Sequence, residues 1–321
     1  MHDAEYAYST ACIREAENRL LSMSFMEQLI DADSYTTALQ MLSDKGFEIK
    51  GGLEQALLEY KQAAWDFLLD VVPDKEELSF LIVTHDYHNL KAILKSMISN
   101  KEPELYYLSP ALTDPQLLYT AVKNHRFDDD IRPFLSQTIS YGYELLTETL
   151  DGQLVDLYLD KQALVEMKML SEQAKSEVVR NYTDAYIAVA NMRIALRLSK
   201  SQRDCSLNGG IFCPCELIDI DKLTMQMGKS QAQVLEYFEN TELKELCAAY
   251  QSSVATFEKK CDDYLLSLLE DAKLSSFGIE PAIAYYCAVQ TQLKVIRIIM
   301  NGKSIHLPTE KISERVRNLY V

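Results

Sequence analysis

Apolar residues recur along this chain at alternating steps of four and three positions. Ala282, Tyr286, Val289, Leu293, Ile296 and Met300 form one such series; Ala185, Val189, Met192 and Leu196, and Leu90, Leu94 and Met97, form two more. That period follows the 3.6-residue turn of an α-helix, so each series predicts a helix with one stripe turned to a core. Tyr8, Cys12, Ala16 and Leu20 predict another near the N-terminus. Helix breakers are sparse. Neither Gly nor Pro occurs from Leu154 to Leu207 or from Lys229 to Phe277, and stretches this long favour helices over short strands, which need frequent turns. The punctuation that exists suits helix ends: Gly278 in a turn, Pro281 opening the helix after it, and Asn301-Gly302 closing it. Pro73-Asp74-Lys-Glu76-Glu77 reads as a helix start, with acidic residues at the positive end of the dipole. The expected fold class is all-α.

The helical pattern repeats. Asn89-Leu-Lys-Ala-Ile-Leu-Lys95 matches Asn191-Met-Arg-Ile-Ala-Leu-Arg197 by residue type, and Val295-Ile-Arg-Ile-Ile-Met300 follows as a third copy. This alignment makes Lys91, Arg193 and Arg297 equivalent and leaves Val295 where the other copies carry Asn. Upstream of each copy an acidic residue opens an apolar run: Asp66-Phe-Leu-Leu69, Asp156-Leu-Tyr-Leu159 and Asp263-Tyr-Leu-Leu266. Pro110-Ala-Leu112-Thr-Asp114 and Pro214-Cys-Glu-Leu217-Ile-Asp219 form matching entry segments. Similarity at a fixed period decides the fold reading, here three related helical units, 1–104, 105–206 and 207–321. Their boundaries fall near Asn100-Lys-Glu-Pro103 and Ser206-Leu-Asn-Gly-Gly210, where Pro, Gly and Asn collect.

Composition narrows the function. A chain of 321 residues exceeds the usual single domain, and 48% hydrophobic with 25% charged residues is a globular balance. The net charge of −16 sets up a field that repels nucleic acid and anionic lipid and favours basic protein surfaces. The longest run without a charged side chain, Pro281 to Leu293, has 13 residues, short of the roughly 20 that cross a bilayer. The N-terminus lacks the basic and apolar segments of a signal peptide, so a cytoplasmic location with reduced cysteines is expected.

Candidate chemistry is thin. Neither a phosphate-binding Gly-x4-Gly-Lys-Ser/Thr loop nor a Gly-x-Gly-x-x-Gly turn occurs. Cys205, Cys213 and Cys215 cluster without a second ligand pair at zinc spacing, and small buried or half-buried side chains are the ordinary reading. His85 and His88 stand three apart with Asp86 between them, but packing or surface roles fit them better than a metal. Asp128-Asp-Asp130 reads as a solvated acidic turn. No catalytic residue, cofactor or metal is therefore expected. Lys91, Arg193 and Arg297 stand out: either three cations project from related helices towards a common opening and face a partner, or each offsets the negative end of its helix and pairs with a nearby carboxylate.

Both ends of the chain resemble a known family. Tyr6-Ala-Tyr8-Ser-Thr-Ala11-Cys-Ile-Arg14-Glu-Ala-Glu17-Asn-Arg-Leu20-Leu21, with Leu29-Ile-Asp-Ala-Asp33 and Ala38-Leu39-Gln-Met-Leu42, is similar to the start of the C subunit of V-type (A/V-type) ATPases, known as the d subunit in eukaryotes. Gly278-Ile-Glu-Pro281-Ala-Ile-Ala-Tyr285 through Lys303, and Ile312-Ser-Glu-Arg315 through Val321, resemble its close. The resemblance implies three helical-bundle domains in a pseudo-threefold arrangement that forms a funnel. It also implies a non-catalytic role, without a nucleotide site: a central-stalk socket that holds the shaft made of the D and F subunits and rests on the cytoplasmic face of the proteolipid rotor ring, whose basic loops the net acidity would attract. Two other readings compete. A free-standing helical adaptor would hold a partner helix or peptide on a concave face, but its repeats would be about 34 residues long. A metal- or thiol-dependent enzyme would need a constellation that the sequence does not display.

Overall fold

The computed structural model describes residues 2–99, 101–126, 131–201 and 210–321. Among the described residues it is all-α, with no strand. In chain order the helices are α1 (His2–Glu17), α2 (Met23–Asp31), α3 (Tyr35–Asp44), α4 (Leu53–Val71), α5 (Val83–Ser99), α6 (Pro115–Asn124), α7 (Pro133–Thr149) and α8 (Gly152–Ser171). There follow α9 (Glu177–Ser201), α10 (Ile220–Met227), α11 (Gln231–Glu239), α12 (Lys244–Ser252), α13 (Val254–Ser267), α14 (Glu280–Ser304) and α15 (Thr309–Ser313). Two compact units result: one joins Met1–Lys75 to Glu242–Val321, the other is Glu76–Thr241.

The first unit is built on α14. Of its 25 residues, 16 are buried, so it is apolar all round, as a helix enclosed by others must be. Helices α1 to α4, α13 and α15 pack against it. All six residues of the predicted stripe from Ala282 to Met300 are buried. Gly278 has φ +93°, the left-handed turn that glycine tolerates, and Pro281 sits in the first turn as expected. Asn301-Gly302 does not end the helix, which runs on to Ser304. Gly302 serves close packing instead: a Cβ there would stand 2.7 Å from Cγ1 of Ile312.

In the second unit α5 and α8 form the centre, with α6 and α7 against them and α9 beyond α8. The stripe on α9 is buried at every position; that on α5 is buried at Leu90 and Leu94, while Met97 is 44% exposed. The stripe predicted on α1 is rotated. Tyr8 is exposed, and the buried face is Tyr6, Ser9, Thr10, Ile13 and Ala16. Ser9 and Thr10 sit on that face, and Ser9 Oγ donates to the Val71 carbonyl at 2.5 Å, so apolar letters alone misplace the stripe. The start read at Pro73 to Glu77 forms a 3-10 turn, Lys75–Leu81, before α5.

One joint recurs. On α5 the buried Asn89 side chain donates to the Leu108 carbonyl (3.1 Å) and accepts from the Leu108 N–H (2.7 Å). On α9 the buried Asn191 does the same with Cys213, at 2.7 and 3.1 Å. On α14 the buried Gln292 accepts from the Leu21 N–H at 3.0 Å, and its Nε2 has no partner. A carboxylate supports each of the first two: Asp86 accepts from Leu112 N–H, and Asp184 from Glu216 and Leu217 N–H. Each loop then leads to a helix capped by an aspartate, Asp114 for α6 and Asp219 for α10. On α14 the residue that clasps a loop is Gln292, three positions before Val295, and its loop is the one at Leu21.

Candidate functional site

The three cations singled out from the sequence stand in different settings. Lys91 pairs with Asp160 of α8, and Lys95, one turn later, pairs with Asp156 at 2.6 Å, so α5 and α8 are joined by two ionic rungs. Arg193 is half-buried on α9, two residues after Asn191. Arg297 is 45% exposed and held by Glu54 of α4, Nη2 to Oε2 at 2.8 Å and Nε to Oε1 at 3.0 Å. Lys91 and Arg193 belong to the second unit, Arg297 to the first. Two residues after Gln292, Lys294 pairs with Asp262 of α13 at 2.5 Å, so by contact it is Lys294 that behaves as Lys91 does.

The α5–α8 rungs form one wall of a cleft of about 1110 Å³ in the second unit. Its apolar lining includes Ala92, Leu154, Leu157 and Leu198. Lys95, Lys101 and Arg197 stand among its lining. On the first unit, α4 carries Lys61 half-buried near Arg297. Burial and the positive Arg297 push its amine down to about 8.

Residues 9–315 match the family described as ATP synthase (C/AC39) subunit. The chain belongs to that family. The C/AC39 match takes in both units and all three carboxamide joints. The chain is similar to the C subunit of the V-type sodium ATPase of Enterococcus hirae, 24% identical over 98% of this chain and 99% of the relative. It is similar also to the C subunit of the A-type ATP synthase of Methanocaldococcus jannaschii, 24% identical over 96% of this chain and 85% of that protein.

Elsewhere the polar groups of this C/AC39 chain serve packing. Arg132, just before α7, reaches Asp86 of α5 (2.8 Å), Glu166 of α8 (2.8 Å) and Thr113 (2.8 Å), and Tyr87 donates to Glu166 at 2.7 Å. Asp86 and Glu166 are buried, and the one guanidinium fork serves both. Burial raises the Asp86 carboxyl above its ordinary value, an effect that Arg132 opposes but does not cancel. His85 Nδ1 meets the Pro110 carbonyl and His88 Nε2 that of Tyr106, so each histidine fastens a loop. Burial pushes the thiol of Cys213 up to about 11 and that of Cys215 to about 12, which makes both poor nucleophiles. Cys205 and Asp128 to Asp130 lie outside the described residues. Among the described residues no group of three or more His, Cys, Asp or Glu could hold a metal ion, and no helix is long and apolar enough to cross a membrane.

Sequence reasoning missed Gln292, Arg132, Asp160 and Lys61. Only Arg132 carries a local signal, standing next to the helix-opening Pro133; the others gain their roles from partners distant in sequence.

Proposed function

We propose that this chain is the non-catalytic central-stalk component of a V-type ATPase or ATP synthase, the socket that couples a shaft of D and F subunits to the proteolipid rotor ring at the cytoplasmic face of the membrane. The observation that carries the reading is the family match over residues 9–315, together with two relatives, both C subunits by name, that align along most or nearly all of their length. In this reading residues 1–104, 105–206 and 207–321 are three related helical bundles in a pseudo-threefold funnel. The recurrence of one carboxamide joint at Asn89, Asn191 and Gln292 supports three equivalent pieces.

The work is mechanical. A socket has to hold its partners tightly enough for torque to pass, which calls for broad, partly polar interfaces on the scale of about 1,200–2,000 Å². Lys91, Arg193 and Arg297 are its proposed partner-facing cations. Reconstitution tests the assignment. The complete ATPase rebuilt without this chain is expected to hydrolyse ATP in its soluble part and to lose ATP-driven ion transport; transport retained without the chain would refute the reading. Arg297→Glu, which places a second carboxylate opposite Glu54, is expected to weaken complex assembly more than it lowers the Tm of the isolated chain. The reverse order would make the residue structural.

A further inference from the structure

The cleft of about 1110 Å³ in the second unit is lined by α5, the first half of α8, the end of α9 and the segment after α5. Four cations line it, Lys91, Lys95, Lys101 and Arg197, and four anions, Glu102, Asp151, Asp156 and Asp160. The chain as a whole has 48 acidic residues against 32 basic ones, so the cleft is basic by comparison. Most of its carboxylates are already engaged. Asp160 holds Lys91, Asp156 holds Lys95, and Asp151 caps α8 by accepting from the N–H groups of Gln153 and Leu154 at 2.9 and 3.2 Å. Lys101 and Arg197 are exposed and make no ion pair or hydrogen bond among the described residues, which leaves two uncommitted cations against one uncommitted carboxylate, Glu102. His88 adds no charge at neutral pH, because burial and the neighbouring Lys91 hold its ring below the ordinary histidine value.

Apolar side chains make up much of the remaining lining. Leu154, Leu157 and Leu198 stand there with Ile98, 50% exposed, and Tyr106, 48% exposed. Apolar walls with a few charged groups, in a concavity of at least about 300–1,000 Å³, are the build of a small-molecule site. We propose that this cleft binds an organic phosphate, its phosphate on Lys101 and Arg197 and its body against the apolar lining that includes Ile98 and Tyr106. The inference is independent of the stalk reading.

Charge and shape select this class. A phosphate monoester is close to a dianion at neutral pH and matches two cations, where a single carboxylate would leave one of them unmatched. The planar fork of an arginine takes two phosphate oxygens, and a lysine serves as the point charge beside it. The Gln153 and Leu154 N–H groups at the start of α8 are held by Asp151, so the side-chain cations are what the phosphate meets. Inorganic phosphate would leave the apolar walls uncovered. A soluble phosphate ester and the headgroup of an anionic phospholipid share the required chemistry, a phosphate joined to an apolar body.

The test is a calorimetric titration of the full chain with five probes. Flavin mononucleotide is the soluble ester and monomeric dihexanoyl phosphatidic acid the lipid one; riboflavin and dihexanoylglycerol are the same bodies without phosphate, and inorganic phosphate is the head alone. At least one ester is expected to saturate the chain, about tenfold or more tighter than its phosphate-free analogue and than inorganic phosphate. Lys101→Met and Arg197→Met, at exposed positions where Tm should not change, are each expected to weaken that binding by about tenfold. Lys123→Met, at an exposed lysine of α6 outside the cleft, should leave it unchanged. Binding of flavin mononucleotide assigns a soluble ligand; binding of the phosphatidic acid alone assigns a lipid headgroup. The inference is overturned if neither ester saturates the chain up to about 1 mM. It is overturned equally if an ester and its phosphate-free analogue bind alike, or if Lys123→Met weakens binding as much as Arg197→Met does. Each of these results leaves the stalk reading standing.

Discussion

The side-chain oxygen of Gln292 accepts a hydrogen bond from the backbone N–H of Leu21 at 3.0 Å, across 271 positions of sequence. This bond ties the N-terminal segment to the last long helix, and it is the third instance of a joint that Asn89 and Asn191 make with loops only 19 and 22 positions away.

The three joints should differ in strength. Asn191→Ala leaves both the N–H and the carbonyl of Cys213 buried without partners, which costs about 2–4 kcal/mol at about 1–3 kcal/mol per buried group. Asn89→Ala should cost a similar amount or somewhat less, because its loop is partly exposed. Gln292→Leu loses a single bond and also removes a buried unpartnered amide nitrogen, so about 1–2 kcal/mol is expected. Denaturant unfolding of the three variants checks the order.

Arg132 balances two buried carboxylates at once. Arg132→Met strands Asp86 and Glu166 together and is expected to cost about 3–5 kcal/mol. Adding Glu166→Gln should recover part of that loss, whereas Arg132→Lys should recover little, because a point charge cannot span both carboxylates as the fork does. A double-mutant cycle read by urea unfolding measures the coupling.

Two aspartates, Asp86 buried and Asp262 half-buried, should move stability in opposite directions with pH. Burial raises Asp86, so the native state holds its proton more tightly than the unfolded chain does; its contribution is greatest in acid and falls as pH rises through the interval above the ordinary carboxylate value. For Asp262 burial acts the same way but is outweighed by Lys294 and Arg317, which leave it lowered. Its contribution is complete above the ordinary value and disappears as pH falls through the lowered one. Stability measured against pH should therefore show a gap between wild type and Asp262→Asn that closes in acid, and one for Asp86→Asn that shifts in favour of the wild type there.

Gly302 sits inside a helix, where alanine is ordinarily better by about 1 kcal/mol. Here the sign should reverse. The new Cβ would lie 2.7 and 2.8 Å from Cγ1 and Cδ1 of Ile312, and forcing a methyl into a filled core costs about 1–3 kcal/mol. Gly302→Ala combined with Ile312→Ala, which removes the clashing atoms, should be less destabilised than the sum of the single changes, as measured by Tm.

The sequence by itself determined the class of structure and its family. Turns of 3.6 residues leave their period in the apolar letters wherever a helix buries a continuous stripe, so the helices carrying Ala282 to Met300 and Ala185 to Leu196 were legible. So were Pro281 and Gly278 at the opening of α14, because local backbone preferences write them, and the shared order of Asn and basic residues on α5 and α9. What only the tertiary structure decided is which residues meet. Ser9 on the buried face of α1 meets the Val71 carbonyl, Gly302 lies inside α14 against Ile312, and it is Gln292, not Val295, that clasps a loop, the one at Leu21. Lys61, Asp160 and Arg132 followed the same rule. Their surroundings are assembled from helices distant in the chain, and a side chain's burial, partner and charge state are properties of that assembly, which no local pattern of letters encodes.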